Sequence, residues 1–111
     1  MDNELLTNRI RERLEDLSNL KELRMMGGLA FMYNDKILVG VYKDAMMVRI
    51  DPAMQDEVLE RNGCRQMDFN RPMKGYVLVD ETGMRTKADF DYWINLALAY
   101  NPMAKSSKKK K

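Results

Sequence analysis

The chain contains no histidine among its 111 residues. Histidine is the usual general base near neutral pH and the usual partner of catalytic serine or cysteine, so its absence removes the commonest acid–base and nucleophilic sites. The single cysteine, Cys64, cannot form an internal disulfide and has no second soft ligand for a structural zinc ion. We therefore expect no catalytic residue, no metal site and no cofactor, and a protein that is not an enzyme.

Long apolar runs are also absent. No stretch approaches the ~18 residues of a membrane span, and the first residues, Met-Asp-Asn-Glu, lack the basic-then-apolar layout of a secretory signal. Together with the unpaired cysteine, this predicts a cytoplasmic protein. The length suits one domain with one hydrophobic core. We place that domain at residues 1–103 and a disordered basic tail at residues 104–111.

The net charge of +2 comes from the C-terminus. Five of the 19 basic residues lie in the last seven positions, which leaves 14 basic against 17 acidic residues in positions 1–104. The predicted domain is therefore mildly acidic. The tail lysines would bind nucleic acid without sequence preference or would only solubilise the terminus, and both alternatives stay open. They are Lys105, Lys108, Lys109, Lys110 and Lys111.

Periodic patterns predict three helices and five strands. Apolar residues at helical spacing indicate an amphipathic first helix, while Asp51-Pro52 and Thr86 with Asp89 are helix-start patterns. Alternating apolar residues separated by short turn-forming pairs predict the strands. The predicted helices span residues 2–15, 52–62 and 86–100, and the predicted strands span residues 24–33, 36–42, 45–50, 64–69 and 75–80.

The order of these elements predicts the fold class. The joins between strands are too short for parallel crossovers, so the sheet should be antiparallel. The order α-βββ-α-ββ-α then predicts a two-layer α+β domain, in which a five-stranded sheet carries the helices on one face. In the third predicted strand, Met46, Val48 and Ile50 share one face, and Met47 and Arg49 share the other.

At two connections in the chain, glycine or proline residues alter the conformations or hydrogen bonds that the backbone can adopt. Gly27 and Gly28 permit angles closed to other residues, or the close approach of another backbone. The pair precedes a strand and does not fit a phosphate-binding loop, so we interpret it as backbone geometry and keep ligand contact as the alternative. Pro72 lacks an N–H group and lies near Gly75, which predicts a loop or an edge irregularity there.

Four motifs in this order resemble the N-terminal domain of the TfoX/Sxy proteins, over about residues 5–100. The family often has Met-Phe-Gly-Gly at the first motif, where Met26 replaces the phenylalanine. The motifs are Met26-Gly-Gly-Leu-Ala-Phe-Met, Met47-Val-Arg49, Arg71-Pro-Met-Lys-Gly-Tyr76 and Trp93-Ile-Asn-Leu-Ala-Leu.

The resemblance implies a two-layer fold like that of secretion chaperones. Full-length TfoX/Sxy proteins are similar to regulators of bacterial DNA-uptake competence and carry a second, helical domain. The chain ends about where that domain would begin, so we expect a stand-alone TfoX N-terminal-like protein.

Basic side chains near the second connection form a candidate binding set. Arg49, Arg71 and Lys74 beside Gly75 would suit a carboxylate or phosphate. The alternative, which we favour, is that they pair with surface acids such as Asp68 or Asp80. Eleven methionines are many for this length. Of these, Met47 and Met73 are predicted to lie outside the core, where exposed methionine would mark a partner or dimer face.

The leading hypothesis is a cytoplasmic regulatory domain that acts by binding a protein partner, with a homodimer through edge strands as a further expectation. One alternative is a small-anion-binding protein or enzyme that uses Arg49, Arg71 and Lys74. The other is an accessory nucleic-acid binder that uses the lysine tail. We give Cys64 no catalytic role because it has no neighbouring base, although nearby arginines would lower its pKa.

Overall fold

The structure is a computed structural model that describes residues 4–25, 28–68 and 72–104. Several predicted positions lie outside the described residues: Met26, Gly27, Arg71 and the basic tail. The backbone alone is described at Met25, Asp68, Pro72 and Met73.

A six-stranded antiparallel sheet forms one layer of the described structure. Its strands are β1 (Leu20–Met25), β2 (Gly28–Tyr33), β3 (Lys36–Tyr42), β4 (Ala45–Arg49), β5 (Cys64–Asp68) and β6 (Pro72–Val79). Their spatial order is β1-β2-β3-β4-β6-β5, so β1 and β5 are the two outer strands. The predicted α+β class and the antiparallel sheet are confirmed.

The count of five strands was wrong by one, because the predicted strand at residues 24–33 is two strands. Leu20–Met25 pairs with Gly28–Tyr33 along its whole length, with Met25 opposite Gly28. Residues 17–23 were interpreted as a connector, because Leu20-Lys-Glu-Leu23 has two charged residues in a row and does not alternate as a strand does. An outer strand is bonded on one side only and is largely exposed, so it needs few apolar residues to form.

Three helices lie on one side of the sheet: α1 (Glu4–Arg13), α2 (Gln55–Val58) and α3 (Lys87–Tyr100). The predicted start signals are confirmed, since Asp51 accepts a hydrogen bond from the Ala53 N–H at 2.9 Å and Thr86 accepts one from the Asp89 N–H at 3.0 Å. Among the described helices, none combines the length and apolarity that a membrane crossing requires.

The second helix is much shorter than the predicted range of residues 52–62. A 3₁₀ turn, Pro52–Met54, precedes it, and it ends at Val58. Beyond that point the Arg61 N–H bonds to the Val58 carbonyl at 2.9 Å, three residues back, and Gly63 takes a φ of 77°. The tighter bond and the left-handed glycine turn the chain into β5.

The hydrophobic core lies between the helices and the sheet. Its fully buried members come from every layer, with Ile10 from α1, Phe31 and Val48 from the sheet, and Trp93 and Ile94 from α3. The Trp93 Nε1 donates to the Gly83 carbonyl at 3.0 Å, so the indole is buried without an unpaired donor. The helices therefore cover one face of the sheet, as the sequence predicted.

Candidate binding surface

The second face of the sheet carries no described helix and has its own apolar cluster. Its buried members are Ala45, Met47, Met67 and Leu78, and half-buried side chains of Ile37, Tyr42 and Tyr76 pack against them. We call this side the open face. The predicted alternation in β4 is confirmed, since Met46, Val48 and Ile50 belong to the helix-side core and Met47 belongs to the open face.

Strand register places one row of residues across the whole open face. Each member pairs with its neighbour on the next strand, so their side chains share the face. From the β1 edge to the β5 edge the row is Leu23, Ala30, Gly40, Met47, Leu78 and Arg65. The side chains in the middle of the row are small, because alanine and glycine occupy positions where large side chains would fill the surface.

These small residues form the floor of a groove with a volume of about 100 Å³. A Cβ atom on Gly40 would lie 2.7 Å from the Leu29 carbonyl oxygen and 3.2 Å from the Met47 methyl carbon, so a larger residue does not fit there. Gly28 is under the same constraint, because a Cβ there would collide with the Val41 carbonyl oxygen. The close backbone approach predicted for Gly28 is confirmed.

The side chains around the groove are apolar or aromatic, with basic groups outside them. Strand alternation places Lys21, Arg49 and Arg65 on the open face, the first and last of them exposed. The Arg49 guanidinium lies 5.3 Å from the centre of the Tyr76 ring. Burial raises the pKa of Tyr76, and Arg49 offsets part of that rise. The phenol is therefore neutral near pH 7.

A buried polar contact fixes β6 below this surface. Gln55 is 5% exposed, and its side-chain oxygen accepts a hydrogen bond from the Gly75 N–H. The Gly75 carbonyl accepts the Ile50 N–H at 2.9 Å, and Gly75 has a φ of 89°, a region that favours glycine. The predicted irregularity is present, since the β5–β6 register shifts between Gln66 and Asp68.

The structure brings together part of the predicted binding set. Met47 and Arg49 lie on the open face, Gly75 is buried, and Lys74 is exposed. The expectation that Met47 lies outside the core was wrong, since it is only 9% exposed and packs in the cluster with Ala45 and Leu78. Arg71 lies outside the described residues, as do the tail lysines. The anion site of Arg49, Arg71 and Lys74 therefore stays a hypothesis.

Other predicted positions have structural roles or no described side chain. Trp93 belongs to the core, and the side chains of Met73 and Pro72 are not described. Asp80, which was considered as an ion-pair partner, accepts hydrogen bonds from the Thr82 N–H at 2.9 Å and hydroxyl at 2.6 Å. The bond from the Thr82 hydroxyl is the main reason that the pKa of Asp80 is lowered, and Arg65 adds a smaller effect.

Cys64 differs from the sequence expectation. Burial raises the pKa of the thiol to about 11, and the neighbouring Arg61 offsets only part of that rise. The expected lowering of this pKa by arginine was wrong in its net direction. Burial of Cys64 on β5 disfavours the thiolate more than one partly solvated arginine charge stabilises it. Within residues 4–25, 28–68 and 72–104, no group of three or more cysteine or acidic side chains is placed to hold a metal ion.

Several residues of the surface were missed from the sequence. Gln55 was missed because a glutamine in a short helix gives no signal of burial. Ala30 and Gly40 line the groove, and the sequence offered a weak signal in their small size within otherwise bulky strands. Ile37 and Met67 were assigned to strands without a face. A bulge at residues 37–39 of β3 changes the alternation next to Ile37, and extra residues on β6 shift its register against β5 near Met67.

The fold and the motifs lead to one family. The sequence profile of the TfoX N-terminal domain matches residues 12–100. The chain belongs to the TfoX N-terminal domain family, which identifies a domain of a regulatory kind. Comparison with curated proteins found no significant match, and comparison with solved structures found none either.

Proposed function

We propose that this chain is a non-catalytic regulatory domain that binds a protein partner on the open face of its sheet. The observation that carries the proposal is the groove between Ile37, Tyr42, Met47 and Tyr76, which combines an apolar floor with aromatic walls. Pockets of this composition accept large apolar side chains, and aromatic and methionine residues are enriched at protein interfaces.

The size of the groove favours an anchor side chain over a metabolite. A volume of about 100 Å³ is below the roughly 300–1,000 Å³ of sites that enclose small-molecule ligands. One leucine, phenylalanine or methionine side chain from a partner suits this space. The remaining contact area would then come from the sheet surface around the groove.

Charge on the open face defines the rest of the partner. Strand alternation directs Lys21, Arg49 and Arg65 to this side, and the strand residues with described side chains place no acid there. A partner with acidic residues beside an apolar anchor would match this surface, because opposite charges at the rim speed association and disfavour wrong partners. The proposed ligand class is an apolar and acidic protein segment.

Selection of displayed peptides on the immobilised protein tests this proposal. Selected peptides should combine a large apolar residue with aspartate or glutamate. Their binding should fall at least tenfold on Arg49→Glu, which reverses the rim charge, and on Ile37→Glu, which puts a carboxylate beside the groove. Arg85→Glu and Leu5→Glu are matched controls with exposed side chains away from the sheet, and they should bind as the parent does.

Two results would contradict the proposal. One is enrichment of basic or purely polar peptides, and the other is equal binding of the selected peptides to the open-face variants and to the controls. Far-UV circular dichroism and thermal unfolding of each variant separate loss of binding from loss of fold. Failure to enrich any peptide above an unrelated protein of similar charge would also count against a peptide-binding surface.

A further inference from the structure

The outer strand β1 exposes a row of backbone groups on its free side. The Asn34 N–H donates to the Asn19 carbonyl at 3.4 Å, just beyond the pairing of Leu20 with Tyr33. Hydrogen-bonded and non-hydrogen-bonded pairs alternate along an antiparallel ladder, so the odd-numbered residues of β1 bond to β2. The N–H and C=O groups of Leu20, Glu22 and Arg24 therefore point away from the sheet.

We propose that this edge pairs with the same edge of a second copy of the chain, antiparallel and two-fold symmetric, with Leu23 at the axis. In that register Glu22 lies opposite Arg24 of the second copy, and Arg24 lies opposite its Glu22. The two sheets would then join into one continuous sheet. This proposal does not rest on the function proposed for the open face.

Charge selects this register among those that the outward backbone groups allow. Outward groups must pair with outward groups, so the registers differ by steps of two residues. One step in one direction would set Glu22 against Glu22, and one step in the other would set Arg24 against Arg24. Like charges directly opposite destabilise a strand pair and opposite charges stabilise it. The register centred on Leu23 alone gives two attractive pairs.

A residue of α1 already holds the glutamate of each proposed Glu22–Arg24 pair in position. Two nitrogens of the Arg11 guanidinium, Nε and Nη2, donate to the two oxygens of the Glu22 carboxylate at 2.7 Å each. These bonds hold the carboxylate on the helix side of the sheet, which is also the side of Arg24 in the alternation. A second arginine arriving from the other copy would complete an Arg–Glu–Arg arrangement on each side of the axis.

Leu23 supplies the apolar contact on the opposite side. Its side chain is 48% exposed although it is a large aliphatic residue. In the proposed register the two Leu23 residues form a non-hydrogen-bonded pair, with Cα atoms about 4.5 Å apart. Each would cover the exposed surface of the other at the edge of the open face.

The other outer strand does not offer the same pairing. The Asp80 N–H bonds to the Gly63 carbonyl at 2.8 Å, so by the same alternation Cys64 and Gln66 point outward on β5. Pairing Cys64 with Gln66 of a second copy would set Arg65 directly against Arg65, which is repulsive. In the register centred between two outward residues, the β1 edge is therefore attractive to its copy, whereas the β5 edge is repulsive.

A single pair of six-residue strands is a small interface. It falls below the roughly 1,200 Å² that stable complexes bury, so the dimer should be weak and concentration-dependent. Sedimentation velocity over a series reaching about 1 mM should detect it. Arg24→Glu and Glu22→Arg should each weaken self-association about tenfold or more, because both symmetric pairs become repulsive.

Mixing these two variants gives the sharpest result. A chain with Arg24→Glu and a chain with Glu22→Arg form attractive pairs with each other at all four positions, so the mixture should associate where each variant alone does not. Lys21→Glu makes the same charge change on the same strand but lies opposite Met25 in the register. It should associate as the parent does.

Cysteine cross-linking checks the axis in a Cys64→Ser background. Leu23→Cys should form a disulfide-linked dimer on mild oxidation, because the expected Cα separation suits a disulfide. Lys21→Cys and Leu5→Cys, both exposed, should cross-link much more slowly. The pairing is overturned if the parent stays monomeric, if Arg24→Glu associates normally, if mixing does not restore association, or if Leu23→Cys reacts no faster than the controls.

Discussion

The two faces of one sheet use the same strands for different purposes. On the helix side, Phe31, Val48 and Val77 are fully buried under α1 and α3. On the open face the row contains the small residues Ala30 and Gly40 next to Met47, and basic residues lie around it. The difference shows that alternate residues of a strand are selected by unlike demands, close packing on one side and an accessible surface on the other.

Removal of the Trp93 side chain should have the largest effect on stability. Trp93 is 1% exposed, and its indole N–H is bonded to Gly83. Trp93→Ala should cost about 3–5 kcal/mol of unfolding free energy, a large share of the roughly 5–15 kcal/mol that holds a domain of this size folded. Urea unfolding followed by far-UV circular dichroism measures this cost.

The control for that measurement is Leu5→Ala. Leu5 lies on α1 but is 82% exposed, so its truncation should change the unfolding free energy by less than about 0.5 kcal/mol. If Trp93→Ala fell within 1 kcal/mol of the parent, roughly the effect of an average substitution, the helix side would not be the main source of stability.

A pair of adjacent methionines tests the comparison of the two faces directly. Met46 is fully buried on the helix side, and Met47 is 9% exposed on the open face. Met46→Ala should cost about 2–5 kcal/mol, as expected for a core truncation. Met47→Ala should cost about 1 kcal/mol, because its cluster is small and borders the groove. Equal losses in denaturant unfolding would show that the open face also serves as a core.

The pH dependence of Cys64 reactivity gives the smallest and most local test. Burial raises the pKa of this thiol to about 11, so the folded protein should react slowly with iodoacetamide at pH 8 and faster only as the pH approaches that value. In urea the rate should rise near the ordinary cysteine pKa of about 8.5.

The raised pKa of Cys64 also determines how the stability of the fold changes with pH. Because the folded pKa is raised, the contribution of the neutral thiol is complete below the unfolded pKa and is lost as the pH rises toward about 11. A reactivity midpoint in the folded protein at or below the unfolded value would mean that Cys64 is solvated or that Arg61 dominates its environment.

Local patterns predicted most of the helix-side fold. The capping residues Asp51 and Thr86 predicted two helix starts, and each accepts the expected backbone hydrogen bond. These features depend on residues within one or two turns of each other, so they can be recognised in the chain itself. The family motifs were recognisable for the same reason.

Features that depend on distant neighbours were not predicted. Strand β1 was missed because it is held by pairing with β2, and little of its stability comes from its own apolar content. The burial of Gln55 depends on Gly75, a residue 20 positions away. The bulge at residues 37–39 of β3 changes which side chains line the groove, and nothing local marks it.

The amino-acid sequence alone therefore determined the order of the three helices and of the strands other than β1, the antiparallel pairing and the family, because periodicity, turn residues and caps act over short distances. Only the tertiary structure decided which face of the sheet the described helices leave uncovered, where Gly40 and Ala30 leave space, and how the β1 edge is displayed. Those properties arise when strands from separate parts of the chain come into register, and the position of a side chain then depends on neighbours that the local sequence does not specify.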